Sequence, residues 1–563
     1  MPELIQRPVP QEARRTLEAA GVSPVLARVF AARGLTAADE LADDLARLLP
    51  PAQLTHSAAA AQLLADAIAA GERLLIIADY DCDGATACAI GMRALRAFGA
   101  QVEYIVPNRF EYGYGLTPEI VELARARRPD WLITVDNGIA SVEGVERANA
   151  LGMRVLVTDH HLPGEQLPAA ACIVNPNQHG CAFASKHLAG VGVMFYVMLA
   201  LRRELRRRGH FTSAAEPNLA HWLDLVALGT VADVVRLDAN NRILVSQGLR
   251  RIRAGRTVPG IEALLRVAGR QLERCGTYDL GFVAGPRLNA AGRLDDMSLG
   301  IECLVTDDRV RAAAIAQQLD QLNRQRREIE GEMREQALAL VAGIETSDAY
   351  SLSLFEPEWH QGVIGIVAGR VKDQLHRPVI AFARGNDGEL KGSGRSIASL
   401  HLRDALDRVS KHAPHLILRF GGHAAAAGLT IRETDLPRFG ELFEQVVREL
   451  LCPADLQQVI ESDGTLAPHE LSLPLADALE TGIWGQGFPA PTFDGRFRVA
   501  RQKVIGERHL KLQLERDGTR YEAILFGQVE PLPALIDALY RPEVNRWQGQ
   551  QTLQLQVAHW RAA

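Results

Sequence analysis

The most constraining feature of this sequence is a series of short apolar segments that alternate with helix-forming stretches. The segments span residues 74–78, 102–106, 131–135, 154–158 and 173–174. Strands that are apolar along their whole length are buried on both faces, and strands that alternate with helices form parallel sheets. We therefore predict an α/β fold with a parallel sheet of four or five strands.

Acidic and histidine side chains directly follow three of these segments. They are Asp79, Asp81 and Asp83 after the first, Asp136 after the third, and Asp159, His160 and His161 after the fourth. Ligands of open parallel sheets bind beyond the carboxyl ends of the strands, so these side chains should meet at one edge. One aspartate at a strand end is often a helix N-cap or a turn residue, but so many at one edge indicate a binding site.

A cluster of carboxylates cannot stay ionised at neutral pH without cations. Oxygen ligands with some imidazole suit Mn²⁺ or Mg²⁺ better than a metal that prefers thiolates. Two such ions about 3.5–4 Å apart can activate water and hold a leaving oxygen. The residues therefore predict a metal-dependent phosphoesterase.

Two other interpretations of the first acidic segment fit less well. Residues 79–84 (DYDCDG) match the start of an EF-hand loop, but the twelfth position is Ile90 where that loop needs a bidentate Glu, and a strand precedes the segment. An aspartyl-phosphate phosphatase would also place Asp81 after a strand, but it would leave the Asp-His-His triplet unexplained.

The rest of the chain suggests further domains. Residues 1–50 are predicted to be a short helical segment that ends at Pro50-Pro51, and a long helix from about Val310 to Leu340 has one narrow apolar stripe. That helix is either a connector between domains or an edge helix of the first domain. Residues 346–450 resemble a second α/β domain, and the short strands after Pro453 predict a small OB-like barrel.

Composition limits the class of protein without naming the partner. The formal net charge of −6 does not suit binding of nucleic acid over the whole surface, although a local basic groove is compatible with it. The seven cysteines form no C-x-x-C pair, which argues against a structural zinc site and a disulfide framework and favours a reducing cytosol. The longest apolar run, 191–201, is shorter than the ~20 residues of a membrane span, and the N-terminus does not resemble a secretory signal.

The ensemble of motifs resembles the DHH phosphoesterase superfamily and, within it, the RecJ family of single-strand-specific 5′→3′ exonucleases. The matching segments are 78–84 (ADYDCDG), 135–138 (VDNG), 158–161 (TDHH), 225–233 (LVALGTVAD), 285–293 (GPRLNAAGR) and 421–428 (GGHAAAAG). Many superfamily members carry a metal-binding His four residues before the second Asp of the first motif. Ile77 occupies that position here, which is the RecJ-like pattern and argues against the pyrophosphatase and cyclic-dinucleotide branches.

The resemblance implies a particular domain order. A parallel-sheet DHH domain is joined by the long helix to a smaller α/β DHHA1 domain, and a β-rich OB-like barrel follows. The expected boundaries are 1–50 for the N-terminal segment, 51–308 for the DHH domain, 309–345 for the connector helix, 346–452 for the DHHA1 domain and 453–563 for the nucleic-acid-binding barrel.

The resemblance also implies the residues of the site. Two Mn²⁺ or Mg²⁺ ions are expected on Asp79, Asp81, Asp83, Asp136, His160 and Asp233. Asp136, His160, His161 and Asp159 are the expected catalytic group, in which His161 contacts the scissile phosphate and Asp159 orients the histidines. Hydrolysis would release 5′-mononucleotides.

The expected substrate-binding residues lie in both α/β domains. They are Arg109, Tyr114, Arg287, Asn289, Arg293, Ser393, Arg395, Gly422 and His423, some of which should hold the 5′-terminal phosphate in a cleft between the domains. Phe110, Tyr112 and Tyr114 could stack on unpaired bases or pack in the core, and Phe526 and Trp547 are candidates on the barrel. The basic run 202–208 is expected to be a solvated helix face instead.

Two rival functions remain open at this point. One is a DHH-type phosphoesterase that acts on short oligonucleotides or cyclic dinucleotides, and the other is an inactive DNA-binding adaptor. By resemblance, the expected partners are single-stranded DNA, single-strand-binding protein and a RecQ-type helicase. A monomer in the cytoplasm, without contact to a membrane, is also expected.

Overall fold

The computed structural model describes residues 3–112, 115–212, 216–342, 348–385 and 388–563, with the backbone alone for Arg109 and Phe110. The chain forms two compact units, which are described separately. The larger unit comprises Gln6–Asp320 and Glu461–Ala563, and the smaller unit comprises Gln321–Ile460 with residues 3–5. Among the described residues, no helix has the length and apolar character needed to cross a membrane.

The N-terminal segment is helical, as predicted, but it begins with a strand that the sequence did not reveal. Its elements are β1 (Glu3–Gln6), α1 (Gln11–Ala19) and α2 (Pro24–Ala31), and α3 (Ser57–Ala70) follows. Leu17 and Ala27 form the buried contact between the first two helices. Helix α3 ends at Gly71, whose φ of +69° suits a residue without a side chain.

A parallel sheet forms the centre of the larger unit. Its elements are β2 (Arg73–Ala78), α4 (Cys82–Ala97), β3 (Gln101–Ile105), α5 (Arg109–Tyr112), α6 (Pro118–Arg125), β4 (Trp131–Val135), α7 (Val142–Ala150), β5 (Arg154–Thr158) and β6 (Cys172–Val174). The strand order is β3-β2-β4-β5-β6, and every pair is parallel. Every residue of β4 is buried, so the sheet is covered on both faces. The predicted strands and their parallel arrangement are confirmed.

The register of this sheet determines where the acidic residues begin. Ala78 pairs with Val135, and Val135 pairs with Thr158. The residue that follows each of these three is an aspartate. Three carboxylates therefore leave the sheet side by side at its carboxyl edge.

Helices complete the larger unit around this sheet. They are α8 (Gly190–Arg207), α9 (Leu223–Ala232), α10 (Ala239–Arg253), α11 (Pro259–Val267), α12 (Thr277–Asp279), a π-helical turn (Leu280–Ala284), α13 (Gly285–Leu294) and α14 (Ser298–Val305). The basic run at the end of α8 lies on a helix face, as predicted, and the structure adds salt bridges that were not predicted. Arg206 pairs with Glu216, and Arg207 and Arg208 both pair with Glu204.

The predicted long helix is α15 (Arg309–Ala342), and the boundary between the two units falls inside it. The smaller unit continues with β7 (Leu352–Phe355), α16 (Ile364–Leu375), β8 (Val379–Arg384), β9 (Glu389–Arg395), α17 (Leu402–His412), β10 (Arg419–Gly422), β11 (Ala426–Arg432) and α18 (Leu436–Leu450). Its sheet has the order β10-β11-β9-β8-β7, in which only β7 and β8 run parallel. Met333 and Ala337 of the helix stripe are buried against this sheet.

The C-terminal part forms a closed five-stranded barrel, as the pattern of short strands predicted. Its elements are β12 (Val459–Ser462), which pairs with β1, then α19 (Leu473–Thr481), β13 (Phe493–Ile505), β14 (His509–Arg516), β15 (Thr519–Phe526), β16 (Leu535–Trp547) and β17 (Gln550–Ala562). The sequence did not predict β16. Pro542 and the charged residues Arg541 and Glu543 interrupt its apolar pattern, although its inward residue Tyr540 is fully buried.

A buried ion pair joins the N-terminal helices to the segment that enters the barrel. Arg33, just after α2, donates to both carboxylate oxygens of Asp463 at 2.6 and 2.9 Å, and the side chains are 1% and 0% exposed. Its Nε donates to the carbonyl of Pro489 at 2.7 Å, and its guanidinium lies 5.4 Å from the Trp484 ring centroid. Such a bidentate, fully hydrogen-bonded pair is strongly destabilising to break, because the remaining charge stays buried.

We expect Arg33→Ala to reduce the free energy of unfolding of the larger unit by about 3–5 kcal/mol, because Asp463 would be left as an uncompensated buried charge. The measurement is the urea midpoint of the transition that reports the larger unit. Arg47→Ala is the matched control, since Arg47 contacts Asp39 at 3.1 Å with side chains 42% and 66% exposed. That change should cost about 0–1 kcal/mol. Equal losses for both variants would contradict the assigned role of Arg33.

Candidate metal centre

The loop between β2 and α4 is fixed by backbone hydrogen bonds. Oδ1 of Asp81 accepts from the N–H groups of Asp83 and Gly84 at 2.9 and 3.0 Å, so Asp81 is the N-cap of α4. Oδ1 of Asp81 therefore has the helix-capping role that is common for a single aspartate at a strand end. The N–H of Cys82 donates to Oδ1 of Asn289 in α13 at 2.7 Å. Asn289, predicted as a substrate contact, thus also holds this acidic loop.

Two glycines permit the close packing of this loop. A methyl group at Gly84 would lie 2.7 Å from both Cβ and the carbonyl oxygen of Asp79, and one at Gly292 would lie 1.9 Å from the carbonyl oxygen of Tyr80. A side chain at either position would displace the backbone that carries the acids. Sequence reasoning did not identify this role, although both glycines lie in the motifs quoted above.

Asp83 is held by the N-terminus of α8. Its two oxygens accept from the N–H groups of Gly190 at 2.6 Å and Val191 at 2.9 Å. Its pKa is raised to about 7, mainly by burial and secondly by the charge of Asp81, although these backbone hydrogen bonds act to lower it. The positive end of a helix is a favourable place for a carboxylate. The Gly190 and Val191 contacts were not predicted, because they span more than a hundred residues.

Asp136 adopts a backbone conformation that is unusual for a residue with a side chain. Its φ is +63°, in the left-handed region, and only 1% of its surface is exposed. The side chain of Asn137 donates to the carbonyl of Val135 at 2.9 Å and stabilises the turn. Burial, followed by the charge of Asp83, holds the pKa of Asp136 well above its usual range. Strained backbone of this kind concentrates at functional sites.

His160 lies at the centre of the acidic cluster. Its Nε2 lies 3.0 Å from Oδ1 of Asp136, 3.5 Å from Oδ2 of Asp233 and 3.9 Å from Oδ2 of Asp83. Its carbonyl oxygen accepts from the amide of Asn177 at 2.6 Å, which fixes the backbone from the following loop.

Asp159 forms hydrogen bonds with both histidines of the triplet, and the orienting role predicted for it stays a prediction. Its Oδ1 accepts from the backbone N–H groups of His160 at 2.7 Å and His161 at 3.1 Å, and lies 2.8 Å from Nδ1 of His161. Its Oδ2 accepts from the N–H of Ile139 at 2.9 Å. Burial acts to raise the pKa of Asp159, but the hydrogen bond and charge of His161 hold it below the ordinary value. Burial acts to lower the pKa of His161, but Asp159 raises it above normal.

Asp233 closes the cluster from the C-terminal end of α9. Burial raises the pKa of its carboxyl well above the usual value, and the charge of Asp83 adds to this. The next residue, Val234, has a φ of +60° and turns the chain sharply away.

Three groups of side chains place their ligand atoms within 4.8 Å of one another. They are Asp136 with His160 and His161, Asp83 with His160 and Asp233, and Asp79 with Asp81 and Asp136. These donors are carboxylate oxygens with a minority of imidazole nitrogens, which is the donor set of Mn²⁺ and Mg²⁺. The raised pKa values of Asp83, Asp136 and Asp233 have the same physical origin, because buried like charges repel and a cation would relieve that repulsion. The residues therefore fit a centre of divalent cations.

The predicted substrate residues of the larger unit have different environments. Arg287 is buried, and its guanidinium contacts Asp320 at 2.8 Å and the carbonyl of Val283 at 2.7 Å. These contacts hold Arg287 to other parts of the protein. A contact between Arg287 and substrate stays a prediction. Arg293 is partly exposed on α13. The side chain of Arg109 and all of Tyr114 lie outside the described residues.

The aromatic residues beside Arg109 were expected either to stack on unpaired bases or to pack in the core. Tyr112 packs against the core of the parallel sheet, which agrees with the packing interpretation. The side chain of Phe110 lies outside the described part of the chain.

In the smaller unit, the predicted residues lie on neighbouring strands. Ser393 and Arg395 are on β9, and Nη1 of Arg395 lies 3.3 Å from Oγ of Ser393. Burial lowers the pKa of Arg395. Gly422, at the end of β10, has a φ of +139°, and the N–H of His423 donates to the carbonyl of Ala426 at 2.7 Å in the turn to β11.

Models of three protein families match the chain. The DHH family N-terminal domain matches residues 73–230, the DHHA1 domain matches residues 346–449, and the RecJ OB domain matches residues 462–559. Together with the acidic centre, these matches define a metal-dependent phosphoesterase of the DHH class.

The similarity to known proteins extends over nearly the whole chain. The chain is 51% identical over 549 residues to the single-stranded-DNA-specific exonuclease RecJ of Dickeya dadantii and 50% identical over 550 residues to that of Escherichia coli, with 95% of both chains covered in each case. The crystal structure of RecJ in complex with Mn²⁺ from Thermus thermophilus covers 100% of this chain and 79% of its own, with a TM-score of 0.84 and 30% identity. The chain belongs to the RecJ family.

We expect Asp159→Asn to weaken Mn²⁺ binding about 10–100-fold, because an amide cannot accept all the hydrogen bonds that fix His160 and His161. The measurement is calorimetric titration of the full chain with Mn²⁺, with folding checked by circular dichroism. Asp44→Asn is the control, because Asp44 is an exposed aspartate far along the chain from the cluster. An unchanged Mn²⁺ affinity in Asp159→Asn would contradict the orienting role.

Proposed function

We propose that this chain hydrolyses single-stranded DNA from the 5′ end to 5′-mononucleotides, in DNA recombination and repair. The observation that carries the proposal is the convergence of five carboxylates and two imidazoles at one sheet edge. Membership of the RecJ family supports single-stranded DNA as the substrate.

Six side chains would hold two Mn²⁺ or Mg²⁺ ions. They are Asp79, Asp81, Asp83, Asp136, His160 and Asp233. When bound, such ions lower the pKa of water and stabilise the negative charge that develops on the leaving 3′-oxygen.

The neighbouring residues hold the reacting groups in place. Asp159 fixes the ring of His161 through Nδ1, so Nε2 is the nitrogen that would contact an oxygen of the scissile phosphate. The N–H groups of Gly190 and Val191 hold Asp83 in one orientation. The protein thus fixes the ligands before substrate arrives, which reduces the reorganisation needed during the reaction.

The 5′-terminal phosphate would be held by basic and polar groups. The candidates are Arg109, Tyr114, Arg287, Asn289, Arg293, Ser393, Arg395, Gly422 and His423. Arginine forks and nearby backbone N–H groups are suited to phosphate oxygens. The guanidinium of Arg395 is one such arginine fork. It lies beside the hydroxyl of Ser393, and its burial restricts its orientation.

Two rival functions are less well supported. A phosphoesterase for short oligonucleotides or cyclic dinucleotides would be expected to carry His at position 77, and the buried Ile77 of β2 cannot bind a metal. The closed barrel also supports a longer substrate. An inactive adaptor would not need every acidic ligand to converge as observed.

The same family relationship supports a proposal about the cellular setting. We propose that the chain acts in the cytoplasm as a monomer, alongside single-strand-binding protein and a RecQ-type helicase.

With Mn²⁺, a long single strand labelled at the 5′ end should release its label as a mononucleotide at the start of digestion. A strand labelled at the 3′ end should release its label last. Chelation with EDTA should abolish both reactions, because it removes the divalent cations that the carboxylate cluster would hold, and added Mn²⁺ should restore them. Early release of the 3′ label would refute the proposed polarity, and activity in EDTA would refute the metal mechanism.

We expect Asp136→Ala to reduce cleavage by at least about 10³-fold, because Asp136 belongs to two of the three ligand groups. Binding of an oligonucleotide, measured by fluorescence anisotropy in EDTA, should stay close to that of the original chain. Asp44→Ala is the matched control and should retain full activity. Substantial residual cleavage by Asp136→Ala would contradict its position in the centre.

A further inference from the structure

Two exposed aromatic residues stack on each other near the metal centre. Tyr278 and Phe282 are 61% and 65% exposed, and their ring centroids are 5.1 Å apart with an interplanar angle of 23°. Contiguous exposed apolar surface can mark an interaction site, whereas single exposed apolar residues are ordinary. We call this pair the aromatic platform.

The backbone holds the platform in an outward position. Tyr278 belongs to α12, and Phe282 belongs to the π-helical turn Leu280–Ala284. Within that turn, Leu280 and Val283 are buried, so the turn is anchored while Phe282 points outward. Short π-helical segments are rare and frequently lie at functional sites.

The platform is connected directly to the last turn of α9, which carries the ligand Asp233. A methyl group at Gly281 would lie 3.2 Å from Cγ1 of Val231, and one at Gly285 would lie 3.0 Å from Cβ of Ala232. The turn that carries Phe282 therefore packs against α9 at the one or two residues that precede Asp233.

Arginines are frequent in the part of the sequence that contains the platform. Residues 250–282 contain seven arginines and three acidic residues, in a chain whose formal net charge is −6. Arg270 contacts Asp279, the neighbour of Tyr278, at 3.3 Å, and Arg253 donates to the carbonyl of Cys275 at 2.8 Å. Arginines beside exposed aromatic rings are the combination that binds single-stranded nucleic acid, in which phosphates meet the cations and bases stack on the rings.

The segment just before the platform approaches α19, the helix that precedes the barrel strands. A methyl group at Gly276 would lie 3.9 Å from the carbonyl oxygen of Glu480 in α19, and Glu480 pairs with Arg546 of β16 at 2.8 Å. A strand whose 5′ end is at the metal centre could therefore pass over the platform toward the barrel.

We propose that Tyr278 and Phe282 stack on unpaired bases of the substrate strand on the 3′ side of the nucleotide being removed. This inference rests on the proposed exonuclease function and specifies how the strand is gripped beyond the reacting phosphate. Stacking accepts any base, because every base has a π face, so the platform would hold the strand without selecting a sequence. A mono- or dinucleotide has at most one base on the 3′ side of the nucleotide being removed, so it would gain little from this stacking.

The test compares substrate lengths. The kcat/KM of the full chain with Mn²⁺ is measured on 5′-phosphorylated oligothymidylates of about two, four, eight and sixteen nucleotides. For Tyr278→Ala/Phe282→Ala, the loss relative to the original chain should increase with length and reach about 10–100-fold on the longest strand, mainly through KM. Val310→Ala is the control, because Val310 is 80% exposed elsewhere on the larger unit and should show no length dependence.

A second set of variants separates stacking from general apolar contact. Phe282→Trp should retain the affinity for the longest strand, whereas Phe282→Leu should lose part of it although the position stays apolar. A 2-aminopurine placed a few nucleotides from the 5′ end should be quenched on binding to Asp136→Ala, and less so when both platform residues are also alanine.

The possible outcomes distinguish this inference from the proposed function. If the original chain fails to cleave any of the oligothymidylates, the proposed function fails. If it cleaves them and the platform variant loses nothing, or loses the same factor at every length, the stacking inference is overturned. Equal effects of Phe282→Leu and Phe282→Trp would also overturn it and would favour a protein partner on this surface.

Discussion

The free-energy cost of placing several carboxylates in one buried cluster governs the structure around the metal centre. Asp83, Asp136 and Asp233 all have raised pKa values because burial and mutual repulsion disfavour their charged forms. A fold that contains such a cluster must offset this cost with oriented N–H groups and with cations when these are bound. The parallel sheet is suited to this, because its in-register strands deliver aspartates to one edge while buried side chains on both faces keep those strands rigid.

The positions of the acids are set by contacts outside the sheet. The start of α8 holds Asp83, α13 holds the loop before α4 through Asn289, and Asp159 holds the histidines. These three contacts come from separate parts of the chain, so Asp83, the acidic loop and the histidines are held by different supporting elements. Misplacement by an ångström can cost a large factor in rate, which is why a catalytic centre uses several rigid supports.

The sequence predicted the parts of this arrangement that depend on local pattern. The strands of the sheet, the long helix α15 and the barrel follow from periodicity, and the position of the acids follows from strand ends. The roles of Gly190 and Asn289 could not be predicted in this way, because each joins residues more than a hundred positions apart. Strand β16 was not predicted, because Pro542 and its charged neighbours interrupt the alternation of apolar and polar residues. The segment is nevertheless a strand, because its pairing with β13 and β17 closes the barrel.

An exonuclease that stays on its substrate between cleavages must release its product without losing the remaining strand. Contacts made only at the metal centre would be broken at each cycle, whereas contacts further along the strand persist while the next phosphate moves into place. The larger unit provides for this geometrically, because the turn that carries Phe282 packs on the helix that ends at Asp233, and Gly276 lies beside the α19 segment that leads to the barrel. The buried Arg33–Asp463 pair fixes the entry to the barrel against the N-terminal helices. In this proposal, the acidic cluster and the contacts that retain the strand belong to the same compact unit.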